Sequence, residues 1–186
     1  IHNGIDLKNF NWQENTKSRL YVLGVAFPWD TRKGLKDFYK LRKILSNEID
    51  IVLVGLTIKQ IKELPNGIQG LTRTESVMEL AQIYSGALAF VNTTYEDNYP
   101  TVNLESIACG TPVITYRTGG SPESVNDQCG IVVPKGDVLG LKSAIGYIYD
   151  HQDKYNRKSL MAFASENFNQ TECFKSYLDL YKSAFK

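Results

Sequence analysis

The stretch from Gly86 to Tyr116 leaves this chain few ways to fold. Gly86-Ala87-Leu88-Ala89-Phe90-Val91 is short, apolar and uncharged, which predicts a buried strand. Asn92 to Tyr99 is polar and aromatic, as a loop is. Pro100 suits the first turn of a helix, where its missing N–H costs nothing, and Thr101 to Cys109 continues with helical composition. Gly110 stops the helix, and Pro112-Val113-Ile114-Thr115-Tyr116 reads as a second buried strand. Two buried strands joined through a helix pair in parallel, with a right-handed crossover.

The same alternation runs through the rest. Arg19 to Ala26 reads as the first strand, followed by a loop and an amphipathic helix carrying Leu35, Phe38, Tyr39, Leu41, Ile44 and Leu45. Ile49 to Gly55 is a second strand, rich in β-branched residues, and the polar stretch Thr57 to Glu63 a short helix. Asn66-Gly67 turns the chain into a third strand, Ile68 to Leu71. Thr74 or Ser76 caps the next helix, which carries Val77, Leu80, Ala81 and Tyr84. Beyond the central unit, Gly130 to Val133 is a further strand, and Asp137 caps a helix carrying Leu139, Leu141, Ala144, Ile145 and Ile148. Helices over about Lys154 to Glu166 and Thr171 to Phe185 follow, the last with Phe174, Tyr177, Leu178 and Tyr181 on one face. The prediction is an α/β, Rossmann-like domain with a parallel six-stranded sheet flanked by helices.

A length of 186 residues fits one domain, and 42% hydrophobic residues suffice for its core. A net charge of +1 gives no reason to expect a nucleic-acid partner. The apolar runs are strand-sized, so no transmembrane helix is predicted, and no signal peptide is seen. The chain opens on Ile1, which reads as a fragment of a longer protein. Cys109, Cys129 and Cys173 have no metal-like spacing and read as reduced thiols, with Cys109 a small buried residue. His2 and His151 lie in polar surroundings, so neither reads as a base, and no metal site assembles.

Asp97 and Glu105 stand eight positions apart with the loop-to-helix junction between them. A helix N-terminus offers free N–H groups and a positive dipole end. Both carboxylates can line one crevice at the carboxyl edge of the sheet, where ligands of open α/β folds bind. Backbone amides would take a phosphate there and the carboxylates sugar hydroxyls, which is the chemistry of a nucleotide-sugar site. A helical Glu is ordinarily exposed and idle, and an Asp before a helix is ordinarily a cap. Glu105, however, sits among Val102, Leu104, Ile107 and Ala108, so it needs a partner, and ribose hydroxyls would be one.

This stretch resembles the donor-binding signature of retaining glycosyltransferases with the GT-B fold (glycosyl transferases group 1, family 4). That signature is an acidic residue, seven residues and a Glu, then small-Cys-Gly-Thr-Pro-Val and a glycine loop. Here it runs from Asp97 through Glu105 and Ala108-Cys109-Gly110-Thr111-Pro112-Val113 to Gly119-Gly120-Ser121-Pro122-Glu123. Asp97 stands where Glu is more usual, about 1.5 Å shorter in reach. Asn3-Gly4-Ile5-Asp6 resembles the segment joining the two halves of such enzymes. The resemblance thus implies an interdomain linker remnant over residues 1–18, a nucleotide-sugar-binding domain over residues 19–186 and a missing N-terminal acceptor-binding domain.

Residue by residue, the resemblance implies that Lys33 contacts the donor diphosphate and that Asp97 lies by the donor sugar. Val25 stands where the family carries an arginine, and Arg32 is the candidate replacement. Without the resemblance, Arg32 and Lys33 would read as a solvated face. Glu105 would hold the ribose, the backbone of Asn98, Tyr99, Pro100, Thr101 and Val102 would receive the diphosphate, and Leu71 and Thr72 would neighbour the base. Glu123 resembles the acidic residue that follows the family's glycine loop, whose two glycines would let backbone come close to a ligand.

The implied activity is transfer of a sugar from a nucleotide diphosphate to a saccharide or lipid-linked acceptor, in surface polysaccharide biosynthesis. No cofactor or metal is expected, and the isolated chain is expected to be inactive. The implied setting is the cytoplasm, where the full-length protein can associate peripherally with the inner membrane face. A non-catalytic nucleotide-binding module and a GT-B nucleotide-sugar epimerase are the alternatives. A dinucleotide-binding domain ranks below both, because Gly24-Val25-Ala26-Phe27-Pro28-Trp29 lacks the Gly-x-Gly-x-x-Gly pattern.

Overall fold

Six parallel strands form one sheet in the computed structural model, which describes residues 2–14 and 19–184. They are β1 (Tyr21–Val25), β2 (Asp50–Val54), β3 (Ile68–Leu71), β4 (Ala89–Asn92), β5 (Val113–Tyr116) and β6 (Gly130–Val133). The helices are α1 (Leu35–Ile44), α2 (Ile58–Lys62), α3 (Val77–Ser85), α4 (Thr101–Ala108), α5 (Val138–Asp150), α6 (Arg157–Asn167) and α7 (Gln170–Ala184). Ile1, residues 15–18 of the expected linker, and Phe185 and Lys186 fall outside the described residues.

The strand order is β3-β2-β1-β4-β5-β6, so the direction of winding reverses between β1 and β4. In an open α/β sheet that reversal leaves a crevice at the carboxyl ends of the two strands. Strands β1, β2, β4 and β5 are buried almost throughout, as near-continuous apolar runs in a parallel sheet should be. Helices α1 and α5 pack together, as do α3, α4 and α6.

The predicted α/β class and sheet hold, and the differences are local. β4 begins at Ala89, because Gly86 is the residue that closes α3. Ser76 rather than Thr74 caps α3, its side chain accepting from the Glu79 amide. Pro100 stands just ahead of α4, with ψ 114°, instead of in its first turn. Helix α6 starts at Arg157, capped by Asn156, so Lys154 lies in the preceding turn. Asp137 caps α5 as expected. Residues 2–14 lie against the domain: Ile5 is buried and forms a parallel bridge with Asn169, and the Gln13 amide donates to the Ser85 hydroxyl.

A buried polar knot fastens α4 to the sheet. Asn103 Oδ1 accepts from the Asn92 amide at 2.9 Å, and its own Nδ2 donates to Ser124 Oγ at 3.0 Å and Ser121 Oγ at 3.2 Å. Ser121 Oγ in turn lies 2.6 Å from Thr115 Oγ1 on β5. Satisfied buried networks of this kind are cheap only while every member is present. Asn103→Ala strands the Asn92 amide and takes one bond each from the Ser121 and Ser124 hydroxyls, and should cost about 2–4 kcal/mol of stability. Chemical denaturation with an unchanged m-value would measure it.

Candidate functional site

The crevice between β1 and β4 is built from three loops and one helix end. The loop after β1 reaches α1 through Gly34, whose φ of +73° is the left-handed conformation that suits glycine. A Cβ on Gly34 would fall on the Thr93 carbonyl oxygen, so the two loops touch backbone to backbone. Thr93 Oγ1 donates to the Lys33 carbonyl at 2.9 Å, and the Tyr95 amide donates to the Arg32 carbonyl at 2.7 Å. From the other side, the Gly120 amide donates to the Asp97 carbonyl at 3.2 Å and Thr118 Oγ1 to the Thr94 carbonyl at 2.8 Å.

The two adjacent glycines let backbone come close to this loop. A Cβ on Gly119 would meet the Asp97 carbonyl and one on Gly120 the Asn98 carbonyl.

These loops bring Lys33 and Asp97 together from opposite strands. Lys33 Nζ lies 2.7 Å from Asp97 Oδ2, with both side chains about one-fifth exposed. Immediately beyond, α4 begins without a side-chain cap from Pro100, which leaves its first amides unbonded by that residue's side chain. Asn98 is exposed, Tyr99 half-buried and Pro100 buried. Arg32 is elsewhere. Its guanidinium lies 3.9 Å from Asp30, in a groove of about 760 Å³ shared with Lys36, Lys40, Tyr95 and Lys135 that neither Lys33 nor Asp97 lines. Leu71 ends β3, two strands away from the crevice, with Thr72 just beyond it, and the Leu71 carbonyl accepts from the amides of Gly55 and Leu56.

Glu105 sits one turn into α4 and already has a partner. Its Oε2 accepts from the Tyr84 hydroxyl at 3.0 Å, so the need that the sequence assigned to ribose hydroxyls is met within the chain. Burial raises the Glu105 pKa above the ordinary carboxylate value, against the lowering effect of hydrogen bonds from Tyr84 and Thr101. Cys109, buried at the end of the same helix, is pushed up to about 12 by desolvation, so its thiol stays protonated and inert.

Sequence reasoning missed three neighbours. The His2 ring stacks on Tyr99 at 4.4 Å and its Nε2 lies 2.9 Å from Glu123, a contact across 121 positions that no local pattern signals. Tyr84 passed as one more apolar helix residue. Asp37 is buried within α1; its only trace in the sequence is a carboxylate in phase with Leu41 and Leu45 on the apolar face. A separate 530 Å³ cleft bounded by Trp12, Ser85, Pro112 and Arg157 lies below the amino ends of the strands, the edge that ligands of such sheets do not use.

The family model for Glycosyl transferases group 1 matches residues 18–151. The chain belongs to that family. Among curated relatives, a D-inositol 3-phosphate glycosyltransferase of Saccharomonospora viridis is 29% identical over 125 residues, 63% of this chain and 28% of that protein. Sucrose-phosphate synthase of Thermosynechococcus elongatus superposes over 98% of this chain and 51% of its own, with a TM-score of 0.84 at 23% identity. HepE of Anabaena, solved with UDP-glucose, superposes over 98% of this chain and 57% of its own, with a TM-score of 0.80 at 20% identity. This chain thus spans under a third of that curated relative and about half of those solved chains. It is the C-terminal, GT-B type of domain in this family, and no helix of its described residues is long and apolar enough to cross a membrane.

Two measurements check this geometry. Glu105 ionises more readily unfolded than folded, so the folded form loses stability as pH rises from the ordinary carboxylate range through the raised pKa. Glu105→Gln should therefore gain on the parent between about pH 4 and pH 7 in paired denaturation curves, with little difference at the acid end. Gly120→Ala should cost more than about 2 kcal/mol in the same assay, because the obstacle is backbone and cannot swing away.

Proposed function

We propose that this domain binds the nucleotide-diphosphate sugar of a retaining glycosyltransferase. The reading is carried by the pairing of Lys33 with Asp97 across the β1–β4 crevice, directly before the uncapped N-terminus of α4. A cation and a row of amides at that place suit a diphosphate. In the free chain Asp97 neutralises Lys33; a bound diphosphate would compete for the ammonium and release the carboxylate toward the hydroxyls of the donor sugar. As the bond to the anomeric carbon breaks, negative charge grows on the leaving diphosphate, and Lys33 with the amides of Tyr99, Thr101 and Val102 would stabilise it. No step then calls for a metal.

Glu105 would exchange its bonds from Tyr84 and Thr101 for two ribose hydroxyls. A half-buried carboxylate kept at a cost in stability is characteristic of a binding site. Leu71 and Thr72 would flank the base from the end of β3, and Arg32 would come into play only by leaving Asp30. HepE of Anabaena, solved with UDP and with UDP-glucose, supports a nucleoside diphosphate as the leaving group.

The acceptor would be a saccharide or a lipid-linked saccharide held by a further, N-terminal half, consistent with the share of the solved chains that this domain spans. The exposed Phe174, Leu178 and Tyr181 on α7 would pack against that half, and residues 1–18 would join it. The setting we infer is surface polysaccharide synthesis in the cytoplasm, with the full-length protein meeting the membrane peripherally.

Calorimetric titration with UDP, GDP and ADP, each beside its nucleoside, tests this. One diphosphate should bind at least about tenfold tighter than its nucleoside, a difference of about 1.4 kcal/mol that Lys33→Ala should remove. Glu105→Gln should weaken nucleoside and diphosphate alike. Equal affinity for nucleoside and diphosphate would overturn the diphosphate site.

A further inference from the structure

The carboxylate of Asp37 is buried in the third position of α1 and holds three donors. Tyr95 Oη donates to Oδ2 at 2.6 Å, Tyr116 Oη to the same oxygen at 3.0 Å, and Lys40 Nζ to Oδ1 at 2.7 Å. The two tyrosine rings meet edge to face at 5.8 Å, and Lys135 lies 5.1 Å over the Tyr95 ring. Tyr95 is pushed up to about 12, first by its bond to Asp37, so it remains a donor throughout the working range. None of these groups takes part in the donor chemistry proposed above.

Their position in the chain gives them a role. Lys33 precedes Asp37 by four residues, and Asp97 follows Tyr95 by two. The Asp37–Tyr95 bond therefore ties the element that carries Lys33 to the loop that carries Asp97, beside the amide bond from Tyr95 to Arg32. Tyr116 donates to the same oxygen from the end of β5; its ring meets that of Tyr95, but its bond to Asp37 does not join the two loops. We propose that Asp37 is a positioning residue for the Lys33–Asp97 pair and acts on it through the Tyr95 hydroxyl. Its meaning for transfer rests on the donor-site reading, but its geometry does not.

The test reads Lys33 in the free protein, so a missing donor cannot mask the result. Lysines are reductively dimethylated with ¹³C-formaldehyde and a borohydride, which keeps their charge. The Lys33 methyl signal is assigned by its loss in Lys33→Arg, and Asp97→Asn supplies the signal of the broken pair. Tyr95→Phe keeps the ring and removes only the hydroxyl; it should carry the Lys33 signal at least half of the way to the broken-pair position. Tyr116→Phe should leave the signal in place, although it also removes a bond to Asp37. Asp37→Asn should behave as Tyr95→Phe does if it folds, and Tyr95→Phe decides the matter if it does not. An unmoved Lys33 signal in folded Tyr95→Phe would overturn the proposal. Equal movement in the two tyrosine variants would do so too, since it would mean general loosening.

Discussion

The loop from Thr93 to Pro100 is held by its backbone, and the rest of the site takes its position from that grip. The amide of Tyr95 and the carbonyls of Thr94 and Asp97 all bond to neighbouring loops. Three glycines supply the space, since a Cβ at Gly34, Gly119 or Gly120 would meet this backbone. Because the main chain does the fixing, the side chain of Asp97 is not needed to hold the loop and pairs with Lys33 instead. The knot around Asn103 then sets α4 against β4, and with it the direction in which the helix amides point.

The charged groups of the crevice contribute little to folding. In an ion pair as buried as Lys33–Asp97, the cost of desolvating both charges offsets much of their attraction. Glu105 is a cost, its bonds from Tyr84 and Thr101 only partly offsetting desolvation. Asp37, in contrast, is buried with both oxygens engaged, and removing any one donor would expose the expense of keeping it there. The site therefore divides into residues that the fold needs and residues that the fold tolerates.

Much of this was legible in the sequence, and for a physical reason. Buried parallel strands are short apolar runs, and Gly, Pro and cap residues punctuate them, so all six strands could be read from local pattern. β3 and β6 were read to the residue, whereas β4 was misplaced at its start because Gly86 serves the helix before it rather than the strand after it. Asp97 and Glu105 stood out because they bracket a helix start among apolar neighbours, whereas Lys33 was singled out only by the family resemblance. The contacts of Tyr84, Asp37 and His2 were not, because each depends on a partner 21, 58 or 121 positions away and on no repeat or spacing. The glycine pair was legible as close approach, but what it approaches is a matter of tertiary structure.

The strand order also dictates the sequence of events during synthesis. β1, β2 and β3 are complete once Leu71 has been made and can pair in the order of their emergence. The other edge of β1 has no neighbour until Ala89 to Asn92 arrive. For that interval the nascent half-sheet carries an apolar edge at Val22 and Leu23, the kind of surface that invites mispairing or a chaperone. The crevice lies over the seam between β1 and β4, so it cannot take shape before Asn92 is made, and the glycine loop that meets it, after β5, comes later still.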